Sequence, residues 1–182
     1  MDITFVLETG TGITGATSYV DITELKQYFF DNEYDFDSLT DIDIQRLANK
    51  ATLYIDSNYQ SSWPGYVQTE DQALLWPRSS GYYLTGYEIA EDTIPKEVKD
   101  AVCEMGYMIS SGINPFETIE KSGKILKESS KVDVISESFT YEEGSTLYQD
   151  LYTKIDSILA KITGGISSNF ALKLIRVGGE SP

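Results

Sequence analysis

Ile44, Leu47, Ala48, Ala51 and Ile55 recur at intervals of three and four residues. Only an α-helix gathers such positions on one face, and this stripe predicts a helix over about 41–58 with one side to bury. Three more stripes follow the same rule. Leu25, Tyr28 and Phe29 mark a helix over about 22–32. Val98, Ala101, Val102, Met105 and Ile109 mark one over about 95–111, and Leu147, Leu151, Ile155, Ile158, Leu159 and Ile162 one over about 146–163. The start signals agree. Asp21 precedes Glu24 by three residues and Thr40 precedes Asp43 by three, the spacing of a capping box. Pro95 suits a first helical position, and Gly112 and Gly164-Gly165 suit the ends. The fold class expected is mainly α: a small bundle of about four helices.

The remainder is extended or irregular. Residues 124–140 carry β-branched side chains in partial alternation and predict a β-ribbon, with a turn near Ser129-Ser130. The chain opens with an apolar stretch, read as an extended arm, then breaks at Gly10, Gly12 and Gly15. The run GTGITG lacks the GKS or GKT ending of a phosphate cradle. Residues 164–182 form a second extended arm, in which Phe170, Leu172 and Leu174 alternate as in a strand that pairs outside its own domain. The domain division expected is therefore 1–163 for the body and 164–182 for the C-terminal arm. Residues 59–93, with Trp63-Pro64-Gly65, Trp76-Pro77, Gly81 and Gly86, read as ordered but irregular. Within them TEDQALLW is expected to make one or two helical turns capped by Thr69.

Composition removes several functions. The 182 residues include no histidine and one cysteine. Ser-His-Asp and Cys-His nucleophile systems and the usual zinc ligand sets are thus excluded. Cys103 lies in the apolar stripe of its helix and reads as a buried structural thiol. The carboxylate run DNEYDFDSLTDID fails as a calcium loop, because Phe36 and Ile42 stand where a glycine and a bidentate glutamate are needed. No catalytic motif is present, so no enzyme, metal or cofactor is expected. No apolar run reaches the ~20 residues that span a bilayer, and MDITFVLETG lacks the basic flank of a secretory signal.

Net charge is −15, with −8 in residues 1–60 and −7 in residues 61–120. Such a body repels phosphate backbones, so tight nucleic-acid binding is not expected on electrostatic grounds. Trp63, Tyr66, Trp76, Tyr82, Tyr83 and Tyr87 could nevertheless stack on bases. The cationic groove that normally accompanies stacking is missing: Arg78 stands alone against Glu70, Asp71, Glu88, Glu91 and Asp92.

Three blocks carry a likeness to a known family: ETGTGITGATSYVDI, QALLWPRSSG and TIPKEVKDAVCEMGYMISSG. Their order resembles a tailed-phage family encoded among head and neck genes, which also carries the label of a DnaT-like single-stranded-DNA-binding protein. The resemblance implies a head–tail connector, an adaptor ring of about a dozen copies lying in the virion neck and made in the host bacterial cytoplasm. It implies the portal protein, neighbouring adaptor subunits and a tail or further neck protein as partners, with an acidic lumen that lets DNA pass. On this reading Trp76 fills a pocket, Arg78 pairs with a carboxylate in its own or a neighbouring subunit, and Phe170, Leu172, Leu174, Ile175 and Arg176 form the docking arm. The alternative function is a single-stranded-DNA-binding module of a phage.

Overall fold

A computed structural model describes residues 4–116, 125–129, 138–141 and 152–163. Its four helices are α1 (Ile22–Asp31), α2 (Asp41–Tyr59), α3 (Lys96–Ser110) and α4 (Thr153–Thr163). Both predicted capping boxes form. The Asp21 side chain accepts from the Glu24 N–H and the Glu24 side chain from the Asp21 N–H, and Thr40 and Asp43 repeat the arrangement at α2. Four backbone donors that the first turns would leave unpaired are thereby satisfied. Pro95 stands one residue outside α3, as its cap. Of the expected fourth helix, Tyr152 is a buried turn residue just ahead of α4, and the part before it lies outside the described residues.

α3 is the centre of the bundle, packing on α1, α2 and α4. Its buried set, from Val98 through Met108, covers more than one face because neighbours press from several sides. Gly106 faces α1: a Cβ there would meet Leu25 at 3.4 Å and Phe29 at 3.9 Å, ordinary van der Waals separations. Cys103 is buried in the same helix. Burial pushes its thiol well up, so it stays protonated and unreactive.

The one acid buried within α3 is fully partnered. Glu104 accepts from the hydroxyls of Tyr28 and Tyr34, each at 3.0 Å, and pairs with Lys154 of α4 at 2.8 Å. Tyr34 stacks on Tyr107 with ring centroids 3.6 Å apart. These contacts fasten α1, the loop after it and α4 to the central helix.

Two short antiparallel pairs complete the described structure: β1 (Tyr66–Val67) with β2 (Arg78–Ser79), and β3 (Ile125–Ser129) with β4 (Ser138–Tyr141). The second pair is the expected ribbon, with Lys127 opposite Thr140 and Glu128 opposite Phe139. The N-terminal extended stretch folds back on the chain. Thr17 donates its N–H to the Val6 carbonyl at 2.7 Å and Glu8 to that of Ser18 at 2.8 Å. Tyr19 and Val20 then enter the core. Residues 164–182 lie outside the described residues.

TEDQALLW is not helical; it forms a turn followed by bends. Its donors are used elsewhere. Ala73 N–H reaches the Ile13 carbonyl, Leu75 N–H the Asp56 carboxylate and Trp76 N–H the Tyr19 hydroxyl. Tertiary partners have taken the bonds that a local helix needs.

Candidate nucleic-acid interface

The segment between Trp63 and Asp92 is irregular because breakers punctuate it, and rigid because buried side chains staple it from within. Trp76 is fully buried and meets Trp63 edge-on, with ring centroids 5.7 Å apart and an interplanar angle of 76°. Trp63 in turn lies against Tyr59 of α2. The Trp76-Pro77 peptide bond is cis.

Arg78 is only 7% exposed. Its expected carboxylate partner is not there. The guanidinium instead donates to three backbone carbonyls: Nε to Pro64 at 2.7 Å, Nη2 to Gly65 at 2.8 Å and Nη1 to Leu75 at 3.2 Å. The planar fork of arginine spans such an array, which a single ammonium cannot. Burial pulls its pKa down, while the acidic groups Tyr19 and Asp56 push it back up. Gly65 is required in the same turn. Its φ is +67°, and a Cβ would lie 2.2 Å from the Ser79 carbonyl oxygen.

A second support comes from the glycine-rich loop. Glu8 is 1% exposed. Its Oε1 accepts the N–H groups of Gly10, Thr11 and Gly12 at 2.9, 2.9 and 3.1 Å, and Oε2 accepts that of Ile13 at 2.7 Å. Converging backbone N–H groups make an anion cradle, and here the anion is the chain's own carboxylate. The loop so held leans on the irregular segment. Gly10 approaches the Asp92 carbonyl so closely that a Cβ would sit 2.1 Å from it, and Gly12 lies beside Thr69.

On this frame the six aromatic side chains divide. Trp63 and Trp76 are core, and Tyr83 is half-buried, its hydroxyl pKa raised by that burial and then by Glu97 beside it. Tyr66 is 75% exposed, Tyr82 51% and Tyr87 77%. The three are linked through the backbone. Tyr66 pairs with Ser79 in the β1–β2 ladder, Tyr82 bridges to Glu88, and Tyr83 N–H reaches the Tyr87 carbonyl at 2.9 Å. Glu70, Asp71, Glu88, Glu91 and Asp92 are all exposed around them.

A family model described as "Putative DnaT-like ssDNA binding protein" matches residues 3–177. The chain belongs to this family. Comparison with curated proteins and with solved structures finds no match. The DnaT-like match corrects the head–tail connector expectation: no connector family is indicated, and the virion, portal and adaptor-ring roles drawn from that resemblance are withdrawn. The physical reason lies in the blocks that suggested it. Trp76-Pro77-Arg78 and the glycine-rich opening are internal packing devices, so they report how one chain folds and not what it docks onto. The expectation of no tight nucleic-acid binding is likewise at odds with the family and gives way.

Of the residues named as an interface from the sequence, Trp76 and Arg78 lie inside this chain. Phe170, Leu172, Leu174, Ile175 and Arg176 lie outside the described residues. Among the described residues, no group of three or more metal-ligating side chains is placed to hold an ion, the acidic loop included. No helix among them is long and apolar enough to cross a membrane. The sequence does hold a cationic signal that net charge hides. Lys121, Lys124, Lys127 and Lys131 fall within eleven residues that contain one acid, Glu128.

Proposed function

We propose that this DnaT-like family member binds single-stranded DNA by stacking bases on Tyr66, Tyr82 and Tyr87. One observation carries the reading: three large rings stand in solvent on a segment whose backbone is held from within by buried Trp76 and Arg78. With the backbone beneath them fixed, the rings give up only side-chain freedom when a base settles on them, and every base offers a π-face, so such binding tolerates sequence. The function is that of a binding module with no catalytic step.

Each ring is expected to contribute about 1–3 kcal/mol. Tyr87→Ala should therefore weaken binding of a fluorescent oligothymidylate by roughly 5- to 150-fold, read by anisotropy. The three rings are exposed, so thermal stability should hardly move. Unchanged affinity in Tyr66→Ala, Tyr82→Ala and Tyr87→Ala alike would remove the proposal.

The acidic surround also makes a prediction. Binding by stacking needs few phosphate contacts, so salt dependence should be shallow. If only the four lysines of residues 121–131 contact phosphates, the slope of log K against log salt should be about −3 or less steep, from ~0.7 per contact on single strands. Replacing these lysines with glutamine should flatten it further. A slope near −10 would mean that electrostatic contacts elsewhere dominate.

A further inference from the structure

We propose that Asp56 is a positioning residue for the tyrosine-bearing segment: its carboxyl group latches residues 75–78 to α2, and its protonation state sets how firmly the latch holds. The consequence for DNA rests on the stacking reading; the latch itself does not.

The geometry joins three parts of the chain at one side chain. Asp56 projects from α2 and is 8% exposed. Its two oxygens accept the Tyr19 hydroxyl at 2.7 and 2.8 Å, and Oδ2 also accepts the Leu75 N–H at 3.0 Å. The Tyr19 oxygen in turn accepts the Trp76 N–H at 3.0 Å. The Leu75 carbonyl is one of the three held by Arg78. Losing the Asp56 contact would free the backbone at 75 and 76, immediately before the clamp that keeps Tyr66 and Ser79 paired.

The ionisable groups that act on Asp56 are Tyr19, from the stretch before α1, and Arg78, from the irregular segment. Tyr19 keeps its proton, its pKa raised well above the ordinary value by burial and by Asp56. An open groove of about 430 Å³, lined by Leu53, Asp56, Ser57, Gln60 and Leu75 among others, gives protons access to the carboxyl.

Burial raises the Asp56 carboxyl from 3.8 to about 6, against the lowering influence of the Leu75 N–H, the Tyr19 hydroxyl and the Arg78 charge. A carboxyl raised in the closed state holds its proton more tightly there than when open. The closed state is therefore favoured as pH falls through about 6 toward 3.8, and it loses that advantage as pH rises. The whole gap corresponds to roughly 100-fold in the opening equilibrium, of which about tenfold falls between pH 5 and 7.5.

Amide exchange of Leu75 and Trp76, expressed as protection factors across that pH range, tests this directly. Wild-type protection is expected to fall about tenfold and to level off above pH 7. Asp56→Asn should abolish the pH dependence. Tyr19→Phe removes a bond that favours the carboxylate, so its Leu75 profile should move to higher pH; Trp76, whose acceptor is also removed, is read only in the other proteins. Wild-type protection that ignores pH, or an Asp56→Asn profile parallel to wild type, would overturn the inference. Should Asp56→Asn not fold, the wild-type and Tyr19→Phe profiles decide between the same two results. Oligothymidylate affinity measured in parallel separates the two ideas. A titrating latch in a chain that binds no oligonucleotide would sustain the latch and remove the stacking reading.

Discussion

Glu8→Ala is expected to lower unfolding free energy by about 3–5 kcal/mol, read from denaturant melts. Four backbone donors lose a charged acceptor at once, and bonds to charged groups contribute about 1.5–3 kcal/mol each, less whatever water recovers as the loop opens. Glu8→Gln separates charge from shape. It keeps one acceptor oxygen but turns the other into a donor, so at least one of the N–H groups is opposed. Its loss should be about half that of alanine. Because the loop supports the irregular segment at Asp92 and Thr69, protection should fall there before it falls in α3. A loss below about 1 kcal/mol for alanine would mean that the cradle is dispensable.

Arg78→Ala is expected to cost about 3–5 kcal/mol in the isolated chain. Three carbonyls lose their donors, and a buried network is broken from one side. Arg78→Lys should restore only a minority of this, since a single ammonium cannot reach the Pro64, Gly65 and Leu75 oxygens together. The effect is intramolecular, so it should not depend on protein concentration. A concentration-dependent loss would place Arg78 at an interface between copies instead.

Where each signal lives in the sequence explains what could be read from it. Helix stripes are local, and Ile44 through Ile55 and Val98 through Met105 appear in the structure as the buried faces they predict, with Ile109 half-buried at the end. Capping boxes span four residues and were equally legible at Asp21 and Thr40. The failures are long-range. TEDQALLW has a helical cap and helical propensity, yet its donors reach Ile13, Asp56 and Tyr19, residues no local window contains. Arg78 looked like half of an ion pair because a buried cation usually needs a carboxylate. Three carbonyls brought together by Gly65 and the turn before it met that need.

Glu8 could have been found. It stands two residues before Gly10-Thr11-Gly12, within reach of the N–H groups that a glycine-rich loop turns inward, and in this chain those groups close on it. The division of the aromatics was out of reach. Tyr82 and Tyr83 are neighbours of like chemistry, and it is their tertiary partners, the bridge of Tyr82 to Glu88 and the contact of Tyr83 with Glu97, that distinguish them. The connector resemblance failed for a related reason: shared packing blocks identify a way of folding, and partners are chosen by surface.

The most direct test of the account is the affinity of a 20-nucleotide oligothymidylate for wild type and for Tyr66→Ala/Tyr87→Ala at low salt. Removal of two stacking rings at no less than about 1 kcal/mol each predicts a loss of about 30-fold or more, with the melting temperature unchanged. Equal affinity in the two proteins, or a wild type that leaves the strand free, would contradict it.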